Sequence, residues 1–261
     1  MRYTEMDMDR SSPVFLGVDL LPGNRPFLYA ALDINRRILT LSQGSLQDVQ
    51  SYIAGMENVL AVINSPSRLN QGLMRQPAVR KNLLPVPAGE WWQNLRVVEY
   101  ELILRGIHAN RTPSVLSDCP KWMRYGFELY DLLQDLGFLA YPALGITNIR
   151  METNAEAGYW ALLGHRPYEA RSLEGRIQRQ LVLFEHEIPV TDPIEFFEEI
   201  TRHRLLQGIL PLQSILNQHE LDALMSAYIG WLAGRQPEQI QSIGDPQEGT
   251  IYIPSGLNDK R

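Results

Sequence analysis

The sequence predicts an α/β protein built on one mixed sheet, and three observations predict it. Residues 13–45 read as three consecutive antiparallel strands, Val59–Ile63 reads as a buried strand of the parallel type, and the chain closes with an apolar helix and a hairpin. Antiparallel strands that feed a helix and then a buried strand give a layered sheet with helices on its faces.

Each element has a local reason. Val14–Leu20 is apolar on both faces, as a central strand is. Phe27–Ile34 and Arg37–Leu41 flank Asn35-Arg36, a short link whose asparagine tolerates left-handed geometry. Ser45 is placed to cap a helix over Leu46–Met56, in which Leu46, Val49, Ile53 and Met56 share a face. Val59–Ile63 is stopped by Asn64-Ser65-Pro66. The stretch Ser67–Trp92, rich in Pro, Gly, Asn and Gln, reads as a long mobile insertion of the kind that often carries function.

Further helices are expected over Arg96–Gly106, Trp122–Gly137, Ala155–Leu163, Ile177–Phe184 and Pro193–Gln207. The last is amphipathic, with Ile194, Phe197, Ile200 and Leu205 on or near one face. A strand is expected over 144–153. Asn217 is placed to cap the helix through Leu221–Leu232, and Gln239–Ile243 and Thr250–Ile253 flank a turn to form a terminal hairpin. Residues 1–12 and 255–261 read as tails around a single domain, 13–254.

Composition narrows the class. Hydrophobic residues make up 44% and charged residues 21%, ordinary for a soluble globular chain. One cysteine, Cys119, excludes an internal disulfide and a multi-cysteine zinc cage. The five histidines show no metal-ligand spacing. No stretch approaches the roughly 20 apolar residues of a membrane span, and the start of the chain has no apolar core of a signal peptide. A cytoplasmic location without membrane partners is the expectation. The net charge of −6 argues against a nonspecific nucleic-acid coat. Of the 24 basic residues only Lys81, Lys121 and Lys260 are lysine; the arginines favour phosphate contact, or they follow genomic base composition.

The acids in apolar surroundings carry the chemistry. Asp19 interrupts Val14–Leu21, Glu152 ends a strand, and Asp222 sits in an apolar helix. A buried carboxylate shifts its pKa, finds a partner or binds a metal. Asp19 lies on the same face as Phe15 and Gly17, and the glycine leaves room for a close neighbour. The competing reading is a cap on the turn Pro22-Gly23-Asn24. Asp222 borders a stripe of Leu221, Leu224 and Tyr228, and Ala223, Ser226, Ala227 and Gly230 are small enough for the helix to approach a sheet. Its competing reading is a first-turn acid favoured by the helix dipole. Glu152 competes with an ordinary strand end, and the arginine series at 166–179 with a solvated face.

In order along the chain stand Gly17-Val18-Asp19-Leu20, Val62-Ile63-Asn64-Ser65-Pro66, Arg96-Val97-Val98-Glu99, Glu152-Thr153-Asn154-Ala155-Glu156, Leu173-Glu174-Gly175-Arg176, Glu220-Leu221-Asp222-Ala223-Leu224 and a closing Ile243-Gly244-Asp245…Gly249–Pro254. Together they resemble the uncharacterised family known as domain of unknown function 429, regarded as RNase H-like nucleases. The resemblance implies an RNase H-like fold in which Asp19, Glu152 and Asp222 act as catalytic metal ligands for Mg²⁺ or Mn²⁺. Asn64 is a further ligand, and Arg96 and Arg176 orient a phosphate of DNA or RNA. Two positions depart from the family's pattern: Asn64 stands in place of an aspartate, and Ala155 in place of the proline of a Glu-x-x-Pro-Glu pattern. Asparagine ligates through its carbonyl but adds no charge, which lowers metal affinity.

Two readings follow. One is a metal-dependent phosphodiesterase; the other is a catalytically impaired module of the same fold that binds nucleic acid or protein. A nucleotide-binding kinase of the actin-like class ranks below both, because Leu20–Asn24 offers a single glycine where a phosphate-gripping turn is needed.

Overall fold

The structure, a computed structural model, describes residues 12–83, 89–143 and 148–257; the expected tails fall largely outside them. Strand β1 (Val14–Leu20) lies at the centre and is buried along its whole length. It pairs antiparallel with β2 (Phe27–Leu32), which pairs antiparallel with β3 (Ile38–Gly44). Ser45 caps helix α1 (Leu46–Ile53) through a capping box with Asp48, as its position predicts. The chain then enters β4 (Val59–Ile63), parallel to β1.

Helices α2 (Pro77–Arg80), α3 (Val97–Leu104) and α4 (Lys121–Asp135) separate β4 from the short β5 (Leu139–Ala140) and β6 (Ile149–Glu152). Of the strand expected over 144–153, residues 144–147 lie outside the described residues and Ile149–Glu152 form the strand. Helices α5 (Ala155–Leu163), α6 (Leu173–Glu185), α7 (Glu195–Glu198), α8 (Arg202–Leu206) and α9 (Gln218–Arg235) follow. The hairpin of β7 (Ile240–Asp245) and β8 (Gly249–Pro254) closes the fold. The sheet order is β3-β2-β1-β4-β6-β8-β7, with β5 also paired to β6. β4, β6 and β8 run parallel to one another.

The two-residue side-chain period sorts this sheet into two faces. Phe15 and Val62 join Leu221, Ala223, Ala227 and other residues of α9 in one core. Leu16, Val18, Ala61 and Ile63 pack with Val49 and Ile53 of α1 and with Leu129 and Leu133 of α4 in another. Helix α9 is buried all round from Leu221 to Ala233, which explains why its apolar residues follow no single stripe. It lies directly against β1: a Cβ on Gly17 would meet the Ala223 carbonyl oxygen at 2.1 Å and the Ala227 nitrogen at 2.2 Å. The small residues of α9 and the glycine before Asp19 therefore serve the close approach that their sizes foretell.

Two expectations are corrected. Of the insertion expected at 67–92, residues 84–88 lie outside the described residues, and the described part holds packed structure: short helical turns, α2, and a small core of Leu73, Met74, Leu83 and Trp92 against Leu95, Val97 and Tyr100. Leu73, Met74, Leu83 and Trp92 are buried while Trp91 is exposed, and Glu248 ties the segment down by accepting the Gln71 and Leu73 N–H groups, both at 2.9 Å. The helix expected over Pro193–Gln207 is instead α7 and α8, because Thr201 leaves the helix and caps a new one. Phe196 is buried there, while Ile194, Phe197 and Leu205 are exposed, the reverse of the expected face. Among the described residues no helix is long and apolar enough to cross a membrane.

Candidate functional site

Asp19 comes at the end of β1, on the α9 face, where the strand leaves the sheet and α9 begins. It is 5% exposed. Asn64 follows β4 and extends the ladder by donating its N–H to the Val18 carbonyl at 2.9 Å, so its side chain lies beside Asp19. Asn64 Nδ2 donates to Asp19 Oδ1 at 2.8 Å, and its Oδ1 accepts from the Ala155 N–H at 3.1 Å. Asn64 thus braces Asp19 against the first turn of α5. Its oxygen is committed to the backbone, which corrects the expectation that it faces a metal.

The start of α9 supplies the other half. Asn217 caps the helix and forms a capping box with Glu220. That fixes Gln218, His219 and Asp222 in the first turn and a half. His219 Nδ1 lies 2.6 Å from Asp19 Oδ2; a carboxylate only accepts, so Nδ1 carries the proton. This hydrogen bond holds the imidazole pKa above its ordinary value, against the opposing effect of burial.

Asp222 is 7% exposed and, among the described residues, its carboxylate takes only a long hydrogen bond, 3.4 Å, from Gln218 Nε2. Burial first and the Asp19 charge second push its carboxyl up to about 8, although Arg179 pulls the other way. The oxygen of Gln218, Oε1, is buried with no hydrogen-bond partner. Asp222 is thus coupled electrostatically to Asp19, whose two oxygens are engaged by Asn64 and His219, and the Gln218 side chain lies beside Asp222.

The Asp222 shift has a measurable consequence for stability. Its folded-state pKa lies above that of an unfolded carboxyl, so the folded chain binds the proton more tightly. Stability is highest with Asp222 protonated and falls as pH climbs from about 4 toward about 8, then levels off. Asp222→Asn removes this loss. The variant is expected to melt on the order of 5 °C above the parent at pH 9, with the gap shrinking at pH 5. Thermal melts in metal-free buffer check it; equal melting at both pH values would contradict the assignment.

Glu152 does not join this pair, and the reason is register. Glu152 is paired with Ile63 and Arg150 with Ala61, so both take the α4 face, while Asp19 takes the α9 face. Glu152 Oε1 accepts from Arg96 Nη2 at 2.8 Å, and Oε2 accepts from the Ser67 N–H and hydroxyl at 2.8 and 2.5 Å. Arg96 also donates from Nε to Glu99 Oε1 at 3.0 Å and from Nη1 to the Glu248 carbonyl at 2.9 Å. Burial opposes the charge on Arg96, yet Glu152 and Glu99 hold the guanidinium above its usual pKa. Glu99 in turn has its carboxyl raised by burial, more than Arg96 and Thr112 lower it. This is a buried polar network around one guanidinium, in which neither Glu152 nor Arg96 has a free hand for substrate.

Asp19, Asn64, Glu152, Gln218, His219 and Asp222 all border one cavity of about 840 Å³. Arg166 and Arg171, both exposed, stand on its rim. Arg176 is elsewhere: its Nε and Nη2 donate to the Leu216 and Ile215 carbonyls at 2.8 and 2.7 Å and hold the segment before α9. Among the described residues no group of three or more His, Cys, Asp or Glu side chains is disposed to hold a metal. The expected set of three acids around one ion is not formed among the described residues; Asp19 and Asp222 are coupled, and Glu152 is engaged by Arg96 and Ser67. Sequence reasoning missed Gln218 and His219; the signal was the Asn217 cap, which places Gln218 and Asp222 one turn apart on the same face.

In comparisons with known proteins, the chain matches no family model and no curated protein.

Proposed function

We propose that the 840 Å³ cavity is the active site of a divalent-metal-dependent phosphodiesterase acting on nucleic acid, on an RNase H-like fold. The observation that carries this reading is the Asp222 carboxyl, buried against Asp19 beside the unpartnered Gln218 oxygen. A cation is what relieves the mutual repulsion of those acids. The fold reading is supported by the sheet order, in which three antiparallel strands are followed by the parallel strands β4, β6 and β8, and by the motif series that resembles domain of unknown function 429.

In this reading Asp19 and Asp222 hold one Mg²⁺ or Mn²⁺, with Gln218 as an oxygen donor. The ion would supply Lewis-acid stabilisation of a phosphoryl oxygen and a more acidic bound water. Asn64 fixes the rotamer of Asp19 through its amide. Arg166 and Arg171 on the rim bind and orient the phosphates of the strand, the role the sequence reading gave to Arg96 and Arg176. Arg96 positions the walls of the cavity through Glu152 and Glu99. Arg176 positions the start of α9.

Asp19→Asn is expected to abolish Mn²⁺-dependent cleavage of labelled single- and double-stranded oligonucleotides while leaving the melting curve two-state. Cleavage that survives the substitution would contradict the assignment. The second reading, a non-catalytic module of the same fold, draws on Asn64 in place of an aspartate and on Glu152 being engaged by Arg96. It predicts no turnover with any metal and undiminished oligonucleotide binding by Asp19→Asn.

A further inference from the structure

We propose that a second cavity, at the sheet edge where β5 and β8 both meet β6, is a binding site for a phosphate-sized oxyanion. The site arises from the topology of the sheet edge. One edge of β6 is covered by β4, so β5 and β8 share the other. β5 pairs there at Ile149 and Arg150, and β8 pairs only at Glu152. Where the two partners meet, a cavity of about 220 Å³ opens. That is below the roughly 300 Å³ at which pockets for drug-sized ligands begin, and suits a compact group.

The lining of this cavity holds more donors than acceptors. Arg150 is fixed by two hydrogen bonds, Nη1 to the Tyr130 carbonyl at 3.0 Å and Nη2 to Gln134 Oε1 at 2.7 Å, yet its buried Nε has no partner among the described residues. Thr250 Oγ1 is likewise buried without a partner. Arg68, exposed at the mouth, makes among the described residues only a long hydrogen bond of 3.4 Å to the Gln247 carbonyl. The one carboxylate in the lining, Glu152, is already taken by Arg96 and Ser67. A perpendicular pair, Tyr141 and Tyr252, with centroids 4.8 Å apart and the Tyr252 hydroxyl on the Tyr141 carbonyl, makes a rigid wall. Unpaired buried donors call for an acceptor, and two guanidinium groups with a hydroxyl match the several oxygens of a phosphate. The phosphate is either free or part of a polynucleotide. Nothing in this inference depends on the metal or on cleavage.

The test is calorimetric titration of the full chain with inorganic phosphate, with chloride at matched ionic strength as control. Saturable binding is expected. Arg68→Ala and Thr250→Val, which leave the two fixed hydrogen bonds of Arg150 in place, are each expected to weaken it roughly tenfold, the worth of one charge-assisted hydrogen bond. The double replacement Arg166→Ala with Arg171→Ala removes any phosphate contact at the rim of the larger cavity and is expected to leave the Arg68- and Thr250-dependent binding in place, while Arg235→Ala, at a residue that lines neither cavity, is expected to change nothing. A single-stranded oligonucleotide that displaces phosphate, with loss of displacement in Arg68→Ala, assigns the site to a polymer phosphate; one that does not displace it assigns the site to the free anion. The inference is overturned if phosphate binding is absent, if Arg68→Ala and Thr250→Val leave it intact (a pocket filled by water alone), or if only the rim variant of the larger cavity abolishes it.

Discussion

Replacing Arg96 with alanine is expected to lower the melting temperature by roughly 10 °C, the sum of a 3–5 kcal/mol loss spread over a domain of this size. Arg96 is 3% exposed and sits between Glu152 and Glu99, which are 4% and 2% exposed. Removing the guanidinium leaves two buried carboxylates with hydroxyl and backbone donors but no counter-charge. The same side chain links β6, the N-terminus of α3 and the β7–β8 turn through the Glu248 carbonyl. Arg96→Lys is expected to recover only part of the loss, because an ammonium lacks the planar fork that serves Glu152 and Glu99 at once. Thermal melts at neutral pH check both variants. A shift of under about 2 °C in Arg96→Ala would show that the network is not what holds this end of the sheet, since breaking a buried pair costs far more.

The large effect of Arg96 also separates two accounts of Glu152. If Glu152 were a metal ligand, Glu152→Gln would remove ion binding and cost little stability. In the arrangement described, Glu152→Gln destabilises the fold, by leaving Arg96 partly uncompensated, and leaves the ion site in place.

What was legible in the sequence divides along physical lines. Asp19 was legible because it interrupts the apolar run Val14–Leu21, and its burial in the strand sets it apart from the competing reading as a cap on the turn at Pro22. The approach of α9 to β1 was legible because Gly17, Ala223 and Ala227 have no side chains to keep the backbones apart. Asp222 was legible as an acid in an apolar helix. Glu152 was misread because its face depends on the register of β6 against β4, and a one-residue difference sends a side chain to the opposite side of the sheet. Asn64 was read as a ligand by type; its actual use, donating to Asp19 and accepting from Ala155, depends on a contact between residues 91 positions apart in sequence. Arg176 and Arg166 looked alike in an arginine-dense stretch. Only the packing of α6 against the segment before α9 shows that the first is spent on carbonyls and the second stands free at the rim. The break between α7 and α8 was hidden because Thr201 is as common inside a helix as at its start, and only its side-chain bond to the Arg204 N–H marks it as a cap.

The second large effect concerns the cation itself. Asp19 and Asp222 are on elements distant in sequence, β1 and α9, yet the charge of one raises the pKa of the other. On the proposed reading a divalent ion held between them would remove that repulsion and stabilise the folded chain by mass action, about 2.7 kcal/mol at a hundredfold excess over Kd. Losing either carboxylate halves the formal charge of the site, and affinity is expected to fall by roughly a hundredfold.

The most direct measurement is a calorimetric titration of Mn²⁺ into the full chain at pH 8.5, where Asp222 is ionised. The arrangement of Asp19 and Asp222 predicts one bound ion for the parent, near-complete loss in Asp222→Asn, and retention in Glu152→Gln. No uptake by the parent, equal uptake by Asp222→Asn, or loss confined to Glu152→Gln would contradict it.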